Sequence, residues 1–334
     1  MNVYVRELVS ALAQAGVVCR VYVRRWADGL PERVAVEPGF DVVHVPAGPI
    51  DLAKEDLPLH VEEFADRVAA DLEDFQPDVI HANYWLSGVA GRLLKQRFQL
   101  PLLTTFHTLA RVKAESGDTE PEFRARAEAE VMGCADAVLA NATAEAEQLV
   151  QYYDADPTRI EIVPPGVDHA LFSPGNQAGA RWALKTNDDP LLVFIGRIQP
   201  LKGVDVAVEA LAKVQRHDAR LWIVGGASGR SGGAEVDRIR RLIDDRGLTG
   251  RVSFIPAQPH HLLSTYYRAA DVCLVPSRSE SFGLVALEAA ACGVPTVASA
   301  VGGLLTLVEH GYTGYLVEGR DPQAYAANNN HILA

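Results

Sequence analysis

Twice along this chain, short apolar runs of strand length alternate with stretches of helix length, and that rhythm restricts the fold more than any other feature. The first series falls at 17–23, 42–45, 79–81, 102–106, 137–139 and 160–163; the second falls at 191–195, 221–224, 252–255, 272–275, 296–298 and 314–317. Such runs suit strands buried on both faces, as parallel strands are when crossover helices cover the sheet. The expected class is α/β, with two doubly wound parallel-sheet domains in succession. A chain of 334 residues has room for two cores. The join falls between Pro164 and Pro190, giving a first domain at 1–164, a linker at 165–190 and a second domain at 191–334. Ligands of open parallel sheets bind outside the carboxyl ends of the strands, here in a cleft expected between the domains. The opening differs from the rhythm: Val5, Leu8, Val9 and Leu12 have helical spacing and Gly16 supplies a stop, so a helix precedes the first strand. Near the other end, Asp321-Pro322 reads as a helix cap and first position, followed by the weak helix formers Asn328, Asn329 and Asn330.

Composition narrows the function. A formal charge of −12 argues against a phosphate-backbone binder, so no nucleic-acid partner is expected and any anionic ligand needs a local basic site. Cys19, Cys134, Cys273 and Cys292 are widely spaced without C-x-x-C pairing and read as reduced core thiols, which places the protein in the cytoplasm. No apolar run reaches bilayer length, so no integral membrane segment is expected, and no basic-then-apolar leader is evident.

Two strand ends in the second half carry chemistry. Gly196-Arg197-Ile198-Gln199-Pro200-Leu201-Lys202-Gly203 follows the run at 191–195 and leads into a helical pattern from Val204. Backbone N–H groups at the coming helix favour an anion, and Arg197 with Lys202 add two charges, so a diphosphate suits the turn. Two ordinary surface cations are the plainer alternative; in an acidic chain, their shared place at a strand end argues against it. Farther on, the run at 272–275 passes through Ser277-Arg278-Ser279 to Glu280, and Glu288 follows within an alanine-rich helix. Spacing alone leaves both as ordinary surface acids. Glu288 stands out because Leu287, Ala289, Ala290 and Ala291 flank it, where a carboxylate needs a partner.

In the first half, His81-Ala82-Asn83-Tyr84-Trp85 and Thr104-Thr105-Phe106-His107-Thr108-Leu109 end apolar runs with polar groups. His81 reads as a structural histidine. For His107, ahead of Thr108 and the basic Arg111 and Lys113, structure and function stand level. His260-His261 reads as a surface turn, since adjacent side chains point apart and no third ligand is evident. The glycine-rich 225–233 lacks both the dinucleotide spacing and the phosphate-loop lysine and reads as a flexible loop.

Taken together, Gly196-Arg197 with Lys202-Gly203, and Glu280-Ser281-Phe282-Gly283-Leu284 with Glu288, resemble the donor-site motifs of the retaining GT-B glycosyltransferases. The resemblance spans essentially the whole chain and implies two Rossmann-like domains facing across a cleft, with a UDP-sugar held mainly by the second. It implies that Arg197 and Lys202 bind the diphosphate, Glu288 the ribose hydroxyls and Glu280 the donor sugar, with Gln258 near the base. Asn2-Val3-Tyr4-Val5, Ala53-Lys54-Glu55, Tyr84-Trp85-Leu86-Ser87-Gly88 and Thr105 to Leu109 are similar to the mycothiol-pathway inositol-phosphate transferases within that group. By that similarity the donor is UDP-N-acetylglucosamine and the acceptor 1D-myo-inositol 3-phosphate, held by Asn2, Lys54, Tyr84, Thr108 and a basic residue of Phe123-Arg124-Ala125-Arg126, with Arg124 fitting the spacing better than Arg126.

The family's chemistry implies catalysis by position and charge. His107 would hydrogen-bond the sugar near its reacting centre, Glu280 would orient it, and Arg197 and Lys202 would steady the leaving UDP. No cofactor is required beyond the UDP-sugar substrate; a structural magnesium near Tyr267, Arg268 and Ala270 is implied, and a homodimer is an open partner state. The resemblance also expects a strand and glycine-rich loop ahead of Asn2 and closing helices after the second domain, so the chain reads as shortened at both ends. Two other readings compete: a nucleotide-binding chain without turnover, and another enzyme on the same scaffold, such as a sucrose-phosphate-type synthase or a nucleotide-sugar epimerase.

Overall fold

The computed structural model describes residues 2–115, 117, 120–227 and 232–334, and of Asn2 the backbone alone. The chain divides into two compact units, 1–163 and 164–334.

The first unit runs α1 (Asn2–Gln14), β1 (Cys19–Arg24), β2 (Arg33–Glu37), β3 (Phe40–Val45), α2 (Val61–Phe75), β4 (Ile80–Asn83) and α3 (Trp85–Phe98). It continues with β5 (Leu102–Thr105), α4 (Ala110–Glu115), α5 (Glu122–Cys134), β6 (Ala137–Ala140), α6 (Thr143–Tyr153) and β7 (Ile160–Ile162). Among the described residues these strands form two sheets, in the orders β1-β3-β2 and β4-β5-β6-β7. The sequence suggested one all-parallel sheet. Instead β2 pairs antiparallel with β3, and β1 and β4 each end a sheet. β2 is an edge strand of three small apolar residues between Arg33 and Glu37, too short and exposed to show as a buried run. Both sheets rest on one helical layer, since Val43 and Val45 of β3 and Ile80 of β4 pack with α2 and α3. α2 has the stripe this needs, with Val61, Ala65, Val68, Ala69 and Leu72 buried at helical spacing.

The second unit adds α7 (Gln177–Ala183), β8 (Leu191–Ile195), α8 (Val204–Lys213), β9 (Arg220–Val224), α9 (Gly232–Asp245), β10 (Val252–Ile255) and α10 (Leu263–Ala269). It ends with β11 (Val272–Val275), α11 (Leu284–Ala291), β12 (Thr296–Ser299), α12 (Leu304–Leu307), β13 (Gly314–Val317) and α13 (Pro322–Ile332). Among the described residues its sheet is six-stranded and parallel, ordered β10-β9-β8-β11-β12-β13. The order reverses between β8 and β11, which makes their carboxyl ends the topological switch point. β8 and β11 are wholly buried, and the Arg197/Lys202 turn and the Glu280 turn leave from these two neighbours.

Two expectations change. The stretch at 165–190 is part of the second unit: Phe172 is fully buried in its core, and Asn176 caps α7 by accepting from Gly179 N at 2.8 Å. Full burial of one phenylalanine contributes roughly 2–3 kcal/mol, enough to fasten a segment that composition alone marks as a linker. At the other end α13 runs through all three asparagines. Asp321 caps it as expected, and packing of Tyr325 and Ala326 against α8 overrides the weak propensity.

Candidate active site

In the second unit the two strand ends meet through one ion pair. Lys202 closes a 3-10 turn, Pro200–Lys202, just before α8, and its Nζ donates to Glu280 Oε2 at 2.6 Å. Ser277 Oγ donates to the same oxygen at 3.2 Å. The backbone fixes both partners. Arg278 N donates to Leu201 O at 2.8 Å, joining the two turns directly. Gly203 has φ 72°, and a Cβ there would fall 2.0 Å from Pro276 O; Gly302 has φ 51°, and a Cβ there would fall 1.9 Å from Glu280 O. Only glycine permits these approaches. Gly303 N then donates to Glu280 O at 3.1 Å. Arg197 is exposed on the β8 turn. Next to it Ile198 N donates to Gly226 O at 2.9 Å, which ties the start of the glycine-rich segment to this turn. Ser228 to Ser231 lie outside the described residues.

Glu288 is buried on α11, and each oxygen has a partner. His260 Nε2 lies 2.8 Å from Oε1, and Tyr267 donates its hydroxyl to Oε2 at 2.8 Å. Burial, then the Glu288 charge, push the Tyr267 hydroxyl well above its ordinary pKa, so it remains a donor. A carboxylate has about four acceptor positions, so Glu288 keeps capacity for a ligand's hydroxyls. His260-His261 does form a turn, with His261 exposed, but His260 is more than surface: its ring is part-buried, lies tilted 5.0 Å from Phe172 and hydrogen-bonds Glu288. Its signal was position just after β10, at the carboxyl side of the sheet. Gln258 lies on the same loop with Nε2 donating to Pro256 O at 2.8 Å.

The groups expected to hold magnesium are otherwise engaged. Tyr267 serves Glu288, Ala270 O accepts from Gln177 Nε2 at 3.2 Å, and Arg268 donates to Ser173 O at 2.8 Å and Leu171 O at 3.0 Å. The side chains of these three residues bring no carboxylate and one cation, so main-chain carbonyls are what they could offer a divalent ion. Among the described residues no cluster of three histidine, cysteine or acidic side chains is placed to hold a metal.

In the first unit, three of the expected acceptor residues converge. Arg124 on α5 donates through Nη2 to Thr108 Oγ1 at 3.0 Å and Thr108 O at 3.1 Å, and its guanidinium carbon stands 5.4 Å from the Tyr84 ring centroid. Nε donates to Glu128 Oε1 at 2.8 Å, while Nη1 lies 2.8 Å from Glu120 Oε1. Glu128 is fully buried; its Oε2 accepts from Ala110 N at 3.0 Å and from the Tyr153 hydroxyl. Arg126 is exposed, away from this set. Lys54 begins an exposed 3-10 segment, Lys54–His60, and the structure does not join it to Arg124. The Asn2 side chain lies outside the described residues. The sequence reading passed over Glu120 and Glu128, although their four-residue spacing about Arg124 was a usable signal.

His107 stands at the carboxyl end of β5 with φ 62°, uncommon for a residue with a side chain. Its Nε2 lies 2.9 Å from Asn83 Oδ1, an acceptor, so that nitrogen carries the proton, and Tyr4 packs edge-on at 4.7 Å. His81 Nε2 lies 2.9 Å from Thr105 Oγ1. Burial pushes the pKa of His107 down to about 3 and of His81 down to about 4, so both are neutral near pH 7. The unfolded chain therefore takes protons that the folded chain refuses, and stability falls as pH drops below about 6.5, levelling only below the folded values. Between pH 7 and pH 5 each histidine is expected to cost on the order of 1–2 kcal/mol. Urea unfolding of His81→Gln at both pH values checks this: the variant should lose less stability on acidification than the parent, and an equal loss refutes it.

Among the described residues no helix is long and apolar enough to cross a membrane. Comparison with known proteins agrees with both halves of this geometry. Residues 178–334 match the family described as Glycosyl transferases group 1, and residues 1–166 match the Glycosyl transferase 4-like domain. The D-inositol 3-phosphate glycosyltransferase of Acidothermus cellulolyticus is 46% identical over 348 residues, covering all of this chain and 78% of that protein. That of Mycobacterium tuberculosis is 43% identical, covering all of this chain and 71% of that protein. Among solved structures, a sucrose-phosphate synthase from Thermosynechococcus elongatus superposes with a TM-score of 0.93 at 36% identity, covering 99% of this chain and 84% of that one. The chain therefore belongs to the GT-B glycosyltransferases, among the relatives of D-inositol 3-phosphate glycosyltransferase.

Proposed function

We propose that this glycosyltransferase moves N-acetylglucosamine from UDP-N-acetylglucosamine to 1D-myo-inositol 3-phosphate, in the cytoplasm and with retention of anomeric configuration. The single observation that carries the acceptor is the convergence of Arg124, Thr108 and Tyr84, which sets a guanidinium beside hydroxyl-bearing side chains in an otherwise acidic protein. Identity of 46% to a D-inositol 3-phosphate glycosyltransferase supports the same acceptor. The donor reading rests on the joined strand ends of the second unit. Arg197 and Lys202 meet the diphosphate, Glu288 accepts from the ribose diol, Gln258 lies by the base and Glu280 orients the sugar hydroxyls while holding Lys202 in place.

In the reaction an inositol hydroxyl oxygen bonds to the sugar's anomeric carbon as the bond to the diphosphate breaks, and the electron pair leaves with UDP. The acceptor's proton passes to the departing diphosphate oxygen on the same face, so no side chain must act as nucleophile. Negative charge grows on that oxygen, and Lys202 and Arg197 oppose it. His107, neutral and with its one N–H given to Asn83, offers the sugar its other ring nitrogen as a hydrogen-bond acceptor without adding charge. Incubation with UDP-N-acetylglucosamine and inositol 3-phosphate should release UDP and yield one glycoside. Release no faster than with Glu280→Ala overturns the donor assignment, and turnover with fructose 6-phosphate in place of inositol phosphate overturns the acceptor.

A further inference from the structure

Arg124 has two carboxylate partners, and they differ in kind. Glu128 is fully buried and locked by a backbone N–H and a tyrosine hydroxyl as well as by Nε of Arg124. Glu120 stands just before α5, with its side chain 19% exposed, and its Oε1 is shared between Arg124 Nη1, at 2.8 Å, and Lys113 Nζ. Lys113, on α4, is 17% exposed. Thr108 Oγ1 lies 3.0 Å from the same guanidinium, and Thr108 is exposed.

An oxygen bridging an ammonium and a guanidinium, beside a hydroxyl, occupies the position and charge of a phosphate oxygen. We propose that Lys113 belongs to the acceptor's phosphate seat and that Glu120 is an internal anion that fills this seat until a phosphate displaces it. The proposal rests on the acceptor reading above and deepens it. With Glu120 seated, Arg124 and Lys113 are balanced by Glu120 and Glu128. With Glu120 displaced, Lys113 Nζ and Arg124 Nη1 both lose its anionic oxygen, while Arg124 keeps Glu128. A phosphate monoester restores the balance and offers three acceptor oxygens, one each for Lys113, Arg124 and Thr108. A neutral polyol in Glu120's place gives Lys113 Nζ and Arg124 Nη1 no anionic oxygen in exchange for the one they lose. The seat therefore discriminates by exchange of one anion for another, which rejects unphosphorylated acceptors more strongly than an empty cationic pocket does.

Calorimetric titration with inorganic phosphate, at fixed ionic strength, tests the seat apart from catalysis. Glu120→Gln keeps the side chain's size and removes the competing charge, and is expected to bind phosphate about fivefold more tightly than the parent. Glu120→Ala should shift in the same direction. Lys113→Gln should bind about tenfold more weakly, as loss of a charged donor implies. Unchanged or weaker phosphate binding in both Glu120 variants, or undiminished binding in a Lys113→Gln protein that melts with the parent, overturns the proposal. With inositol 3-phosphate as acceptor, KM should move the same way in each variant. Failure of that acceptor to turn over at all would count against the acceptor reading, while the phosphate titration would still judge Lys113 and Glu120.

Discussion

Glu280→Ala is expected to lower kcat/KM for sugar transfer by about 10²–10³-fold, the usual loss when one preorganised charge leaves a site where charge develops. The expectation follows from the 2.6 Å bond to Lys202, which stands at the end of the neighbouring strand. Without Glu280, Lys202 loses the partner that fixes its direction, and the sugar loses an acceptor for its hydroxyls. Lys202→Ala should be similarly damaging, and the double variant should be little worse than either single one, because residues acting as a unit do not add. Steady-state kinetics with UDP-N-acetylglucosamine measures all three. Losses below tenfold in both single variants, or losses that multiply in the double variant, would separate the pair from the chemistry.

The second large effect concerns stability. Glu128→Ala should destabilise the first unit by about 3–5 kcal/mol, because it leaves the Arg124 guanidinium without its buried carboxylate and leaves the Tyr153 O–H and the Ala110 N–H without acceptors. For a unit of this size that is a fall in melting temperature of roughly 10 °C. Glu128→Gln, which keeps an acceptor, should lose less. Calorimetric melting decides: a shift of under about 2 °C in Glu128→Ala would show that Arg124 is held by other means. The variant should also lose affinity for the phosphorylated acceptor, since Glu128 sets the guanidinium that faces Thr108.

Much of the second unit was legible because its strands are continuous apolar runs. The predicted 191–195, 252–255, 272–275 and 314–317 coincide with β8, β10, β11 and β13. The same physics hid β2: Arg33-Val34-Ala35-Val36-Glu37 lies on a sheet edge, where one face needs no apolar side chains. Position at strand ends drew attention to Lys202 and Glu280, but nothing local announced that their side chains would meet, because strand order is a long-range property. His260 and Glu128 escaped for a related reason. His260 acts through Glu288 and Glu128 partly through Tyr153, both distant in sequence, although the four-residue spacing of Glu128 from Arg124 is a local signal. The segment at 165–190 was misjudged on composition, which registers glycine and proline but not the burial of Phe172.

The central claim, a glycosyltransferase selecting a phosphorylated polyol, is tested most directly by the ratio of kcat/KM for inositol 3-phosphate to that for free inositol, measured with one donor and one preparation. Charge-assisted bonds from Arg124 and Thr108 that free inositol cannot make predict a ratio of about 10³ or more. A ratio near unity would contradict the account, because the donor site would then be serving an acceptor that the Arg124 site does not recognise.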